Sequence, residues 1–342
     1  MANNACRSFW IIPLILLCPA CWFSPDNSRG CITCKGVNPH EWEQSLHFID
    51  DTTILLVTSD LRGGVTPCVY LSRNGGLDWK PEIRWDSLWQ YCAATSRSQD
   101  FFLALFRRDS RQSYVLRWNI PENRMDSLCL GERPVFRSGL WPAEDGGVYV
   151  LRKTSQNDEA ELDYLNVDFS EIQLVRPLHG RLFTLDVLGN GNNVSFSRED
   201  GVVLDTPDSL FYLQKGTRLK PYSIAGKSIL VSEEFRASSS SSFLMSWDAS
   251  TGQLDTIQCF KGYDAVTLFY AEEGLLAGYA VYESDGFPGR DLVFSNNSGK
   301  EWIIKKAGFF GTHCECVFEN RIFVYQNGKL YWFILNPNVP VR

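Results

Sequence analysis

The feature that most restricts the fold is a turn that the chain uses twice, 223 residues apart. Ser72-Arg73-Asn74-Gly75-Gly76-Leu77-Asp78-Trp79 and Ser295-Asn296-Asn297-Ser298-Gly299-Lys300-Glu301-Trp302 both read S-x-N-x-G-x-x-W. An apolar run leads into each copy (Cys68 to Leu71; Asp291 to Phe294) and another leads out, the pattern of a tight turn between antiparallel strands. The residue types suit that geometry. Ser and Asn side chains bond to nearby backbone groups, Gly accepts a positive φ, and Trp is large enough to clamp the turn onto its neighbour.

Weaker strand-turn-strand units recur along the chain. They are Tyr114 to Asn119 with a turn at Pro121-Glu122-Asn123, Asp163 to Val175, Val194 to Gly201, Phe243 to Asp248 with Thr251-Gly252, and Ile322 to Phe333 around Asn327-Gly328. Markers at Asn74, Asn119, Asp168, Glu199, Asp248, Asn297 and Asn327 give spacings of 45, 49, 31, 49, 49 and 30. Four short strands with their turns need about 30 to 50 residues, so each interval can hold one four-stranded sheet. The expected fold is all-β, a β-propeller of seven four-stranded blades. The two short intervals leave six or eight blades open, and a pair of β-sandwiches or a solenoid are the other architectures considered. The last segment offers three strands (Cys314 to Phe318, Ile322 to Tyr325, Leu330 to Leu335), one short of a blade. A strand from residues 35–43 would complete it, joining the two ends of the chain and removing exposed edges. An aromatic content of 13%, with 26 Gly and 15 Pro and no long helical period, agrees with all-β.

The repeated turn resembles the Asp-box, or BNR, hairpin of sialidase-like β-propellers, with Asn where that family more often has Asp. The resemblance implies that Ser72, Asn74, Gly76, Trp79, Ser295, Asn297, Gly299 and Trp302 hold the outer hairpins of blades, away from the active face. It also implies what a catalytic member carries: three arginines for a substrate carboxylate, a Tyr nucleophile with a Glu partner, and an Asp acid/base. Paired guanidinium donors suit a planar carboxylate. The first of those arginines stands in a Phe/Tyr-Arg-Ile-Pro motif that this sequence lacks; Arg133-Pro134 and Phe136-Arg137 are its nearest remnants and lie too far along the chain. No catalytic residue carries over, and no cofactor or metal is expected.

Other chemistry is equally sparse. The four histidines, His40, His47, His179 and His313, have no metal-ligand spacing such as H-E-x-x-H, and there is no G-x-S-x-G elbow or phosphate-binding loop. Asn190-Gly191-Asn192-Asn193 reads as a plain turn. The carboxylate pairs Glu144-Asp145, Asp158-Glu159, Glu233-Glu234 and Glu272-Glu273 read as solvated loops before they read as the acid and base of a glycosidase. The long insertions, Arg107 to Ser113, Lys153 to Glu161, Glu233 to Ser242 and Glu283 to Arg290, are candidate ligand loops, with a serine run at Ser238 to Ser242. Trp85, Trp89 and Trp141 flank strands, where they fill inter-blade space or stack on a sugar.

At the amino terminus Arg7 precedes the apolar run Phe9 to Cys18, which is too short and too interrupted by Pro13 and Pro19 for a membrane span and reads as a signal peptide over residues 1–20. Ala20-Cys21 resembles a lipoprotein cleavage site, with Cys21 the lipidated residue; plain secretion is the alternative. Residues 21–44 read as a tether leading into the fold, 45–336 as one propeller domain and 337–342 as a tail. Eight cysteines beyond Cys21 allow 105 disulfide pairings. Cys68, Cys92, Cys129 and Cys259 sit singly in apolar runs as small hydrophobes, while Cys31-x-x-Cys34 and His313-Cys314-x-Cys316 suit disulfides or free thiols better than zinc. A net charge of −7 without a basic stripe excludes nucleic acid. The expected function is therefore an exported, lipid-anchored, non-catalytic platform of the bacterial cell envelope, periplasmic or in the outer membrane, that binds a protein or a glycan and touches membrane only through its anchor. The alternative is a divergent sialidase-like glycoside hydrolase.

Overall fold

A computed structural model describes residues 29–335, apart from 39–40, 61–65, 155–158, 179–184, 188–193, 199–200, 215–218, 226–227, 234–240, 273, 285–286 and 310–313. Every regular element in it is a strand, and the strands form seven four-stranded antiparallel sheets set in a ring, a seven-bladed β-propeller. After β1 (Arg29–Thr33), blade I is β2 (Glu41–Phe48), β3 (Ile54–Asp60), β4 (Thr66–Ser72) and β5 (Lys80–Arg84). Blade II is β6 (Trp89–Arg97), β7 (Asp100–Arg107), β8 (Gln112–Asn119) and β9 (Arg124–Gly131); blade III is β10 (Val135–Pro142), β11 (Val148–Lys153), β12 (Ala160–Leu165) and β13 (Ile172–Leu178). Blade IV is β14 (Leu185–Val187), β15 (Val194–Arg198), β16 (Gly201–Asp205) and β17 (Leu210–Gln214); blade V is β18 (Leu219–Ala225), β19 (Ser228–Glu233), β20 (Ser241–Asp248) and β21 (Gln253–Lys261). Blade VI is β22 (Ala265–Glu272), β23 (Leu275–Ser284), β24 (Phe287–Ser295) and β25 (Ile303–Phe309), and β26 (Cys314–Phe318), β27 (Arg321–Gln326) and β28 (Lys329–Ile334) begin blade VII.

The ring closes when β1 pairs with β28, Arg29 opposite Phe333 and Thr33 opposite Lys329. The closing strand is thus Arg29–Thr33 and not residues 35–43, and the ring begins within the 21–44 segment expected to be a tether and entry segment. Residues 34–36 form a strap that ties the seam together. Cys34 N–H donates to Gly328 O at 2.8 Å, Lys35 N–H to Leu77 O at 2.9 Å, and Trp79 N–H to Lys35 O at 2.8 Å. Gly36 sits at φ +93°, where an added Cβ would lie 2.1 Å from the Trp79 carbonyl oxygen, so the strap passes too close for a side chain.

Position within a blade explains the sequence of each strand. Second strands such as Ile54-Leu55-Leu56-Val57 and Phe101-Phe102-Leu103-Ala104-Leu105 are covered on both faces by neighbouring blades and are apolar without alternation. Fourth strands such as β5 and β9 lie at the rim, are largely exposed, and read polar. The core is accordingly divided among the seven seams between blades. Trp85 and Trp89 pack in the seam of blades I and II, and Trp141 in that of blades III and IV, which is the space-filling role.

The markers can now be placed. Asn74, Asn119, Asp168, Asp248 and Asn297 all fall at the turn between third and fourth strands, whereas Asn327 lies between the second and third strands of its blade. Glu199 lies outside the described residues, between β15 and β16. Both short intervals come from markers set one hairpin too early. Asp208, in the turn between the third and fourth strands of blade IV, stands 40 residues from both Asp168 and Asp248.

Candidate functional site: the loop face and the repeated turns

Antiparallel pairing puts the first-to-second and third-to-fourth turns at one face of the disc. The second-to-third turns and the loops between blades open at the other, here called the loop face. The two repeated turns belong to the first group, and they are built alike. Ser72 Oγ accepts from Gly76 N–H at 2.9 Å and donates to Asn74 Oδ1 at 3.0 Å, and Ser295 Oγ makes the same bonds to Gly299 and Asn297, both at 2.9 Å. Asn74 Oδ1 accepts from Asp78 N–H at 3.0 Å, as Asn297 Oδ1 does from Glu301 N–H at 2.9 Å. Trp79 Nε1 donates to Gly76 O at 2.7 Å, and Trp302 Nε1 to Gly299 O at 2.9 Å. Positive φ at Gly76 (+89°) and Gly299 (+84°) turns these N–H groups toward the serine. The side-chain hydrogen bonds of both copies stay within the turn, which is the work of holding a hairpin.

The candidate ligand loops all fall on second-to-third turns, those of blades II, III, V and VI, and so share the loop face. They are shorter than the sequence suggests, because Arg107, Lys153, Glu283 and Arg290 are strand residues. Ser238 lies outside the described residues. Beneath this face, sequence reasoning missed a set of ion pairs built on buried or partly buried carboxylates. In blade I, Glu41 at the start of β2 accepts from Arg84 Nη2 at 2.7 Å, from Asn38 Nδ2 at 3.3 Å and from the Thr58 hydroxyl. Its side chain is 1% exposed while that of Arg84 is 48% exposed, so the carboxylate is fixed and the guanidinium is presented. Tyr70 OH receives Arg84 Nη2 at 3.3 Å, and its pKa is pushed up to about 12 by burial, with Glu41 adding to the rise.

Blade III repeats the theme with two arginines. Arg152 binds Asp163 through Nε, donates from Nη1 to Leu130 O at 2.8 Å and lies 3.9 Å from Glu161, which Arg133 also binds. Burial raises the Asp163 carboxyl despite the Arg152 bond. In blade VI, Tyr263 OH donates to the buried Asp291 carboxylate at 2.9 Å, and burial, then Asp291, lifts the tyrosine to about 12. Nearer the axis, the first strands bring Glu43 from blade I, Lys220 from blade V and Glu315 from blade VII toward this face. Burial pushes Glu315 up to about 7, against the pull of Arg290 and Lys220. Asn327 N–H donates to Glu43 Oε1 at 3.2 Å. The available sequence signal was the clustering of charges at strand ends next to second-to-third turns, but the partners stand 9 to 43 residues apart, too far for any local motif.

The eight cysteines among the described residues are free thiols. Cys68 and Cys92 are buried, but Cys129 is exposed and Cys259 half-buried, because β9 and β21 are rim strands. No group of three or more His, Cys, Asp or Glu side chains is placed to hold a metal among the described residues, and His40, His179 and His313 lie outside them. Cys21 and the apolar run before it also lie outside; no helix among the described residues is long and apolar enough to cross a membrane.

No protein-family model matches the chain, and no curated protein matches it by sequence. Solved structures do share its fold. A structure described as YCF48 bound to D1 peptide superposes with a TM-score of 0.62 at 12% identity, over 93% of this chain and 99% of that one. Oligogalacturonate lyase from Vibrio parahaemolyticus gives 0.59 at 8% identity, over 90% and 97%. The β-propeller domain of the Trilobed protease from Pyrococcus furiosus gives 0.53 at 8% identity, over 84% and 90%.

Proposed function

We propose that this chain is a non-catalytic binding propeller of the sialidase-like Asp-box type, exported to the bacterial cell envelope and held there by a lipid on Cys21, which recognises a protein or a glycan on its loop face. One observation carries the reading: Arg84, Arg133 and Arg152 each hold a carboxylate of the same chain. These guanidiniums are spoken for, so the loop face offers a fixed rim of mixed charge instead of a bare clamp for a substrate carboxylate. A propeller of the same shape bound to a peptide supports the class. Immobilised protein challenged with envelope extract is expected to capture a discrete protein or glycan. The variant Lys220→Glu is expected to lose it, and retention by that variant refutes the loop face as the contact. Mass spectrometry of the mature amino terminus tests export; an intact Met1 rules out processing.

A second reading, a divergent glycoside hydrolase, is favoured by Glu315. A carboxyl with a pKa of about 7 keeps its proton near neutrality, as a general acid needs, and Glu43 sits on the adjoining first strand. Fluorogenic sialosides and other glycosides decide it. Turnover that survives purification and is abolished by Glu315→Gln replaces the binding reading.

A further inference from the structure

The seam of blades VII and I carries a half-open cavity of about 260 Å³, on the side away from the loop face. Its walls carry four aromatic rings, Phe48, Phe318, Phe323 and Trp332. Phe48 stacks on Phe318 with centroids 5.2 Å apart and leans on Phe323 at 4.1 Å, so the slot is formed by rings that already brace one another. Its volume falls below the roughly 300 to 1,000 Å³ of sites for drug-sized ligands, which suits one ring with a short attachment.

Two further observations give the slot an occupant. Arg321, at the start of β27, lines the cavity and has no ion pair among the described residues, unlike Arg84, Arg117, Arg152 and Arg176. An uncommitted guanidinium beside an aromatic slot selects for a carboxylate next to a ring. The repeated turn supplies the other observation. Leu77 lines the cavity and is 49% exposed, while the same position of the second copy is Lys300. The residues that hold the turn together are the same in both copies. At this solvent-facing position the copy beside the slot has an apolar residue, and the other copy has the ordinary surface choice.

We propose that the seam of blades VII and I is a docking site for a partner peptide whose aromatic side chain enters the slot while an adjacent Asp or Glu pairs with Arg321. Leu77 forms the apolar lip, and Asp51, on the opposite blade, faces the peptide's N–H groups. The site is separate from the loop face and adds a second contact to the platform. The test is fluorescence anisotropy with dye-labelled hexapeptides that place Phe, Tyr or Trp before Asp, each beside a control with Asn in place of Asp. Saturable binding is expected for the acidic peptides, about tenfold tighter than for the controls. The variants Arg321→Glu and Leu77→Lys are expected to weaken it about tenfold and several-fold, with thermal melting checking that both remain folded; L77K only copies the second turn. Equal binding of acidic and control peptides, full binding by R321E, or no binding by any peptide overturns the proposal. Failure here with capture of a loop-face ligand intact leaves the platform reading standing.

Discussion

Two buried groups with opposite pKa shifts, His47 and Glu315, make opposing contributions to the acid response of the ring, and each offsets the other in part. His47, near the end of β2, is buried edge-on to Phe101 at 5.2 Å, and its Nε2 has no hydrogen-bond partner. Burial lowers its pKa from 6.5 to about 4. Above pH 6.5 neither the folded nor the unfolded chain carries the proton. Between 6.5 and 4 the unfolded chain takes it up and the native state does not, so stability falls as pH falls, by about 3 kcal/mol over the whole window. Glu315 runs the other way. Its pKa rises from 4.5 to about 7, so as pH climbs through that interval the unfolded chain releases a proton that the native state keeps, and stability falls as pH rises. Part of Glu315 stays in contact with solvent, which reduces its effect to roughly 1 to 2 kcal/mol. Urea unfolding followed by tryptophan fluorescence at pH 7.0 and 4.5 separates the two. The wild type is expected to lose only about 1 kcal/mol on acidification, the difference between the two contributions. Glu315→Gln is expected to lose about 2 to 3 kcal/mol on acidification, and His47→Leu to gain about 1 to 2 kcal/mol. A flat profile for E315Q refutes the burial of His47 as a source of acid sensitivity.

Three further substitutions probe the turns, the strap and the ion pairs. Ser72→Ala and Ser295→Ala each remove a hydroxyl that accepts a buried Gly N–H, and each is expected to cost about 1 to 2 kcal/mol in chemical unfolding; very unequal losses contradict the equivalence of the two turns. Gly36→Ala combines a positive φ with a Cβ 2.1 Å from the Trp79 carbonyl, so a loss of about 3 kcal/mol or more is expected, and an unchanged melting temperature contradicts the close approach of the strap. Arg84→Ala strands a buried carboxylate and is expected to cost about 2 to 3 kcal/mol. Arg107→Ala, whose Asp109 partner is exposed, is expected to cost less than Arg84→Ala, and the reverse order refutes the account of the loop-face pairs.

The blade count was readable because the fold repeats one local unit, and the turn between third and fourth strands leaves a polar signature that needs no knowledge of the rest of the ring. That signature weakens where the turn is built by other residues. In blade IV the work is done by Thr206, whose Oγ1 donates to Ser209 O at 2.8 Å and accepts from Ser209 N–H at 3.1 Å, and the eye is drawn instead to Glu199. In blade VII the Asn327-Gly328 pair is a true hairpin, but one between second and third strands. The closing strand was misplaced for a different reason. Arg29 to Thr33 carries little apolar pattern because it is a rim strand with one edge paired, and a short polar strand resembles a linker. The ion pairs left only a clustering of charges at strand ends and the seam cavity left no signal, since each joins residues that meet only after blades form. Glu41 with Arg84 crosses a whole blade, and Phe48 with Phe323 crosses the ring closure.

The pairing of β1 with β28 also fixes an order in time. On the ribosome the first of the 28 described strands is made early and its partner last, so for almost the whole of synthesis β1 is an edge without its native partner. The first six blades can stack as they emerge, each on the one before, whereas blade VII completes its sheet only with β1, and the apolar face of blade I stays wet until Cys314 to Ile334 arrives. Closure therefore joins residues about 300 positions apart, the kind of distant contact that makes folding slow and leaves strand edges open to wrong partners. The same geometry protects the finished ring: neither end can peel away without opening the seam that holds Phe48, Trp79 and Tyr325.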